Sequence, residues 1–541
     1  MNIRGNWVDI VSRKIRHVEI EIQEGRIARI QPLEGQGKRF ILPGFVDAHV
    51  HIESSMLVPS EFAKLAVVHG TIGTVSDPHE IANVNGLEGV KYMIENGKTV
   101  PFKFNFGAPS CVPATNFESA GATISVDDID ELLDMPDIRY LAEMMNYPGV
   151  IYKDSEVMQK IKLAQQKGKP VDGHAPGVRG QDLDKYIAAG ISTDHECFTY
   201  EEGLEKLQKG MKVLIREGSA AKNFEALIPL MSTYASDLMF CSDDKHPDDL
   251  VEGHINQLVV RAIRMGYDLF DVLQAACINP VKHYNLPIGL LRKGDPADFI
   301  LVENLEDFRV LATYIDGQLM AEKGRSLIQT EPAPIINHFN VEPKIASAFA
   351  VPAEGRKIQV IRALDGELIT GVDHVEATIQ DSKVVSNVEQ DVLKLVVVNR
   401  YQDVPPAVAF IRGFGLQNGA LASCVAHDSH NIVAVGTNDD DICKAVNLVI
   451  KSKGGISVAN KAEEKVLALP VAGIMTNQAG EEVAATYGKL DRYVKDDLEG
   501  TLKAPFMTLS FMALLVIPSL KLSDKGLFDG KNFTFTPLFI S

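Results

Sequence analysis

Between residues 43 and 285 short apolar runs alternate with longer stretches in which apolar positions recur every three or four residues, the pattern of a parallel strand-and-helix repeat. Eight runs read as strands: residues 45–52, 71–76, 102–107, 139–144, 170–173, 191–194, 212–215 and 238–241. Nearly every one ends in a polar cluster: His49 and His51, then Asp77 and His79, Glu143, His174, His195, Arg216 with Glu217, and Asp243. A (β/α)8 barrel carries its catalytic groups at the carboxyl ends of its strands. The first strand is not followed by Gly-x-Gly-x-x-Gly, so a TIM-like α/β barrel is expected rather than an open doubly wound sheet.

The flanks alternate with period two. Residues 17–30 read as a hairpin turning at Glu24-Gly25, and residues 295–302 and 310–321 as short strands with a turn at Asp316-Gly317. Together residues 1–42 and 286–330 predict a flanking β-sandwich around a barrel of residues 43–285. A Pro-containing stretch, 330–343, reads as a linker. Residues 344–541 mix strand patterns such as 393–398 with helical ones such as 442–450, and predict a separate carboxyl-terminal α/β domain. The apolar stretch 506–520 reads as a buried element of that domain or a subunit face, the former being commoner.

The segment Asp47-Ala48-His49-Val50-His51-Ile52-Glu53 changes the picture from fold to chemistry. On a strand Asp47, His49, His51 and Glu53 share one face, and Val46, Ala48, Val50 and Ile52 the other. Burying two imidazoles beside two carboxylates is costly unless something pairs them, and a divalent cation is the simplest partner.

Composition narrows the partners. A formal net charge of -18 over 541 residues, with no basic run, argues against nucleic acid and anionic membranes. The six cysteines contain no Cys-x-x-Cys pair and read as reduced thiols of a cytoplasmic protein. The amino terminus shows no signal-peptide core, and residues 511–517 are too short an apolar stretch to span a bilayer.

Five motifs carry a family resemblance. They are the run from Pro43-Gly44-Phe45 to Glu53-Ser54-Ser55, Ser76-Asp77-Pro78-His79-Glu80-Ile81-Ala82-Asn83, Gly173-His174-Ala175-Pro176-Gly177, Ile215-Arg216-Glu217-Gly218-Ser219 and Cys241-Ser242-Asp243-Asp244. The first resembles the amidohydrolase superfamily, and the others narrow the resemblance to its bacterial adenine deaminase group. The resemblance implies that His49, His51 and Asp243 ligate one metal ion, that His174 and His195 ligate a second, and that Glu143 bridges them. Relatives that open cyclic amides often bridge with a carboxylated lysine, so Glu143 weighs against a dihydroorotase or hydantoinase. Asp244 competes with Asp243 as ligand, one of the two capping the next helix.

The ligand set, free of thiolate, suits two divalent ions, Mn²⁺, Fe²⁺ or Zn²⁺, and the resemblance leans to the first two. It further implies hydrolysis of adenine to hypoxanthine, with Asp243, Glu80 and Glu217 as catalytic groups, His79 and Arg216 as purine-binding groups, and a homodimeric assembly. The rivals are an amidohydrolase acting on an N6-substituted purine or a cyclic amide, and a non-catalytic barrel. A further cluster, His427-Asp428-Ser429-His430, reads most simply as a turn with satisfied histidines, and otherwise as a third metal site or a group reaching over the barrel mouth.

Overall fold

Apolar side chains on both faces make a strand that must be covered on both sides, and the eight runs fold that way, each within two residues of its expected bounds. The computed structural model describes residues 1–540. The strands are Phe45–Val50 (β1), Thr71–Ser76 (β2), Lys103–Ala108 (β3), Ile138–Met144 (β4), Val171–Gly173 (β5), Thr193–Asp194 (β6), Lys212–Arg216 (β7) and Leu238–Cys241 (β8). β1 to β5 form one parallel sheet in sequence order, and β6 to β8 a second. A parallel bridge from Val171 to Ile191 joins the two, and another from Val50 to Asp243 brings the chain just past β8 against β1. The parallel sheet therefore curls until its last strand lies beside its first.

The intervening helices begin where the sequence provides caps. Ser125 and Asp128 form a capping box at Val126–Asp134, and Asp154 accepts from Glu156 and Val157 at the start of Ser155–Gln166.

The two flanks share one sheet. Asn2–Asp9, Lys14–Gln23, Arg26–Pro32 and Phe40–Pro43 join Phe299–Val302, Val310–Ile315, Gln318–Glu322 and Arg325–Ser326 in an eight-stranded ladder. Phe40–Pro43 is the junction, parallel to Asn2–Asp9 and antiparallel to Phe299–Val302. Val18, Ile20, Ile22 and Ile27 pack with Phe299 and Leu301, as the alternation requires.

The carboxyl-terminal region is built on a nine-stranded, mainly antiparallel sheet. The expected strand at 393–398 is present as Leu393–Val398, and the expected helix grows to Asp439–Lys451 because the Asn438 side chain accepts from Asp441 and caps it. Ile442, Ala445, Val446 and Val449 bury that helix against Ala422, Ile432 and Ala434. Residues 330–343 contain no helix or strand, yet Ala333, Phe339 and Val341 are buried, so this stretch runs as a packed strap rather than a free linker. One continuous apolar core joins the curled sheet to the carboxyl-terminal region. Among the described residues no helix is long and apolar enough to cross a membrane.

Candidate metal centre

β1 ends at Val50, and the chain turns into a short 3-10 helix, Ile52–Ser55. The alternation read over residues 47–53 thus holds only for Asp47 and His49. Asp47 bonds to Ser242 and, at 2.8 Å, to His254 Nε2, so it supports the strand from behind. Glu53 accepts from the Ile81 backbone at 3.2 Å and stands apart from the histidines.

His49, at the end of β1, and His51, just beyond it, converge on the residue that closes the sheet. Their Nε2 atoms lie 3.1 Å apart, and Asp243 Oδ1 lies 3.3 Å from the first and 3.2 Å from the second. A proton can serve one edge of such a triangle but not all three. Three donors each about 2.1 Å from one cation stand about 3.0–3.4 Å apart, which are the edges seen here. Asp243 itself has φ 54°, a left-handed conformation that costs a non-glycine residue energy and is held where the surroundings over-determine it.

Glu143, in β4, sits between this triangle and a second cluster. Its Oε1 lies 3.2 Å from His51 Nε2, and its Oε2 lies 2.6 Å from His174 Nδ1 and 3.2 Å from His195 Nε2. The His49 and His195 rings stack at 4.0 Å. All six of these residues are 9 % exposed or less, and the donor set is four imidazoles and two carboxylates, a set that fits divalent cations.

Around the six stand groups that hold them in charge and direction. Burial would push the Asp243 carboxyl up, but the Arg216 guanidinium and the bonds from His49 and His51 hold it well below the usual carboxylate range. Both terminal nitrogens of Arg216 are engaged there, since Nη1 bonds Asp243 Oδ2 at 2.6 Å and also Glu196, and Nη2 reaches Glu196 Oε2 at 3.2 Å, while its Nε is buried without a partner. It lines the cavity, as expected of it, with its terminal nitrogens on carboxylates.

The helix His79–Lys98 starts at the mouth, with His79 and Glu80 in its first turn. His79 Nδ1 lies 3.2 Å from Asp77 Oδ2 and its Nε2 lies 3.4 Å from Glu80 Oε1. Glu217 is not brought in. It pairs with Arg261 at 3.0 Å and is absent from the cavity lining, because Arg216 faces inward and the next residue of a strand faces the other way. Asp244 borders the cavity but accepts from Ser54 Oγ at 2.5 Å.

A cavity of about 30 Å³ lies over the cluster, roofed by Leu368, Phe511, Leu514 and Val516 from the carboxyl-terminal region. The apolar stretch read as core or interface is therefore part of the site. A second cavity, about 390 Å³, shares Met145, His174 and Val516 with the first.

Comparison with known proteins matches residues 40–320 to the amidohydrolase family and residues 367–534 to the adenine deaminase C-terminal domain. An adenine deaminase of Salinibacter ruber is 56% identical over 100% of this chain and 99% of its own length. The chain belongs to the adenine deaminase family. Another adenine deaminase, from a Sulfurovum species, is 57% identical over 99% of each chain. Among solved structures, a β-aspartyl dipeptidase of Fervidobacterium islandicum aligns with 60% of this chain and 98% of its own at 14% identity and a TM-score of 0.46.

In this member of the adenine deaminase family two groups escape a sequence reading. Glu196 follows a ligand-like histidine, and it is the fold that marks it as part of the site, paired with Arg216, 3.5 Å from His195 Nε2 and lining the cavity. Both Glu80 oxygens are taken by His427 and His430, across some 350 residues of chain.

Proposed function

We propose that the chain hydrolyses adenine to hypoxanthine and ammonia. The observation that carries this is the shared carboxylate: Glu143 offers one oxygen to His51 and the other to His174 and His195, in a chain whose full-length relatives are named adenine deaminases. His49, His51 and Asp243 would hold one divalent cation and His174 and His195 a second, with Glu143 between them. Mn²⁺ or Fe²⁺ suits this nitrogen and oxygen set, and Zn²⁺ is compatible with it. When bound, such a pair supplies hydroxide at neutral pH by lowering the pKa of water from 15.7 to about 7.

In the net reaction the water oxygen bonds to C6 and the C6–N6 bond breaks. One water proton leaves on ammonia and the other ends on N1 of hypoxanthine. Asp243, kept ionised by Arg216, is the group that carries a proton toward N6. Glu80 takes the N1 edge, and His79 beside it holds the purine in register. The roof of Leu368, Phe511, Leu514 and Val516 excludes water from the ring. Glu217 has no role in this scheme.

The same reading closes the eight strands into a (β/α)8 barrel over residues 43–285, makes residues 1–42 and 286–330 a β-sandwich and residues 344–541 a third unit, and has the protein act in the cytoplasm as a homodimer. Six cysteines free of disulfides support a reducing compartment.

Protein loaded with Mn²⁺ is expected to release ammonia from adenine with the ultraviolet change to hypoxanthine, and His49→Ala to abolish both. A fully loaded wild type inert toward adenine would overturn the reading. Metal analysis separates the two adjacent aspartates: Asp243→Asn is expected to lower the ion content from two per chain, and Asp244→Asn to keep both ions. The reverse result would move the ligand to Asp244.

A further inference from the structure

Glu80, in the first turn of its helix, is held by residues of the carboxyl-terminal region. His427 Nδ1 bonds one carboxylate oxygen and His430 Nε2 the other, the latter at 2.5 Å. All three residues are 3 % exposed or less. Burial would push the Glu80 carboxyl up, but His427, His79 and His430 together hold it well below the usual range. A carboxylate gripped at both oxygens has one orientation, and a purine edge requires one.

The loop that carries the two histidines is itself fixed. His430 has φ 54°, a strained left-handed conformation for a non-glycine residue, and its Nδ1 lies 3.1 Å from the Cys424 carbonyl. Tyr401 donates to the Ser429 carbonyl at 2.6 Å, and Asn431 donates to the Ser119 carbonyl at 2.9 Å. The His427 ring stacks on Phe511, one of the roof residues, at 5.1 Å. Strain kept in place by surrounding bonds, at the mouth of a reactive site, is characteristic of a built positioning device.

We infer that His427 and His430 are positioning residues for Glu80, so that the carboxyl-terminal region sets the orientation of the group that works on the purine ring. This rests on the assignment of Glu80 to the N1 edge. The two histidines act through Glu80 and do not touch the reacting atoms.

A double-mutant cycle on kcat tests it, read with whichever 6-aminopurine the wild type turns over best. His430→Leu is expected to lower kcat by about 100-fold, the lower end of what acid–base groups contribute, with KM changed less than threefold. Two bound ions and the wild-type unfolding temperature should remain. His430→Gln, which keeps a donor, is expected to recover part of the loss. In a Glu80→Gln background His430→Leu is expected to cost nothing more, because residues acting as one unit are not additive.

Equal fold losses in both backgrounds would overturn the inference. So would loss of an ion in His430→Gln, which would make the loop a metal site instead. If His430→Leu does not fold, His430→Gln and His427→Gln carry the same cycle. A wild type that deaminates no purine removes the functional reading and this inference together, whereas an active wild type with additive losses removes the inference alone.

Discussion

Glu143→Gln is expected to lower kcat/KM for adenine by about 150- to 5,000-fold and to leave fewer than two ions on the chain. The side chain stands among imidazoles: His51 and His79 approach Oε1, at 3.2 and 3.5 Å, and His174 and His195 approach Oε2. Burial alone would raise its pKa, and the His174 charge with the bonds from His174, His195 and His51 holds it well below the usual carboxylate range. An amide of the same shape removes that charge and turns one oxygen into a donor facing ring nitrogens. Removing one member of a buried charged set costs about 3–5 kcal/mol, and each 1.36 kcal/mol of lost transition-state stabilisation is about tenfold in rate. Steady-state kinetics with metal analysis checks it. A variant holding two ions and more than a tenth of wild-type activity would show that Glu143 is not the link between the clusters.

Lys206→Met is expected to destabilise the protein by about 3–5 kcal/mol. It is also expected to weaken metal binding by about 10–100-fold, the usual cost of disturbing groups behind metal ligands. Lys206 is fully buried, bonded to Asp194, to Glu202 at 2.7 Å and to the Ala175 carbonyl at 2.8 Å. Asp194 and Ala175 adjoin His195 and His174, so one ammonium fixes the backbone behind both histidines. Burial would raise the Asp194 carboxyl, but Lys206 and His195 hold it below its ordinary value. A carboxylate with a lowered folded pKa contributes stability that is present above its unfolded pKa of about 3.9 and is lost as the pH falls through the folded value. The gap between wild type and variant should therefore be full near neutrality and shrink below about pH 4. Urea midpoints at several pH values read it, and a gap that stays constant into acid would disprove an electrostatic origin.

The sequence made the strand ends of the curled sheet legible because each strand is an apolar run stopped by a polar cluster, a signal carried within about ten residues. His49, His51, Glu143, His174, His195 and Asp243 stand where that pattern and the family motifs put them, converging around Glu143 and Asp243. Glu217 failed for a reason already present in the sequence: it follows an inward-facing Arg216, and alternation turns it toward Arg261. The order of the carboxyl-terminal strands was not legible, because neighbours such as Ala420–Ser423 and Gly455–Ala459 are set by long-range packing rather than local pattern. Nor was the grip on Glu80, since nothing near residue 80 points to residues 427 and 430.

The bridge between Val50 and Asp243 brings together parts of the chain made far apart in time. During synthesis His49 and His51 emerge early, and they meet Glu143 only with the fourth strand and Asp243 only after the eighth. Glu80 waits longer still, for His427 and His430. At about 5–20 residues per second, an unfinished chain spends tens of seconds with the six clustered histidine, glutamate and aspartate side chains present and Glu80 ungripped. Truncated products are therefore expected to bind metal before they can turn over substrate, so that catalysis begins only when the chain is nearly complete.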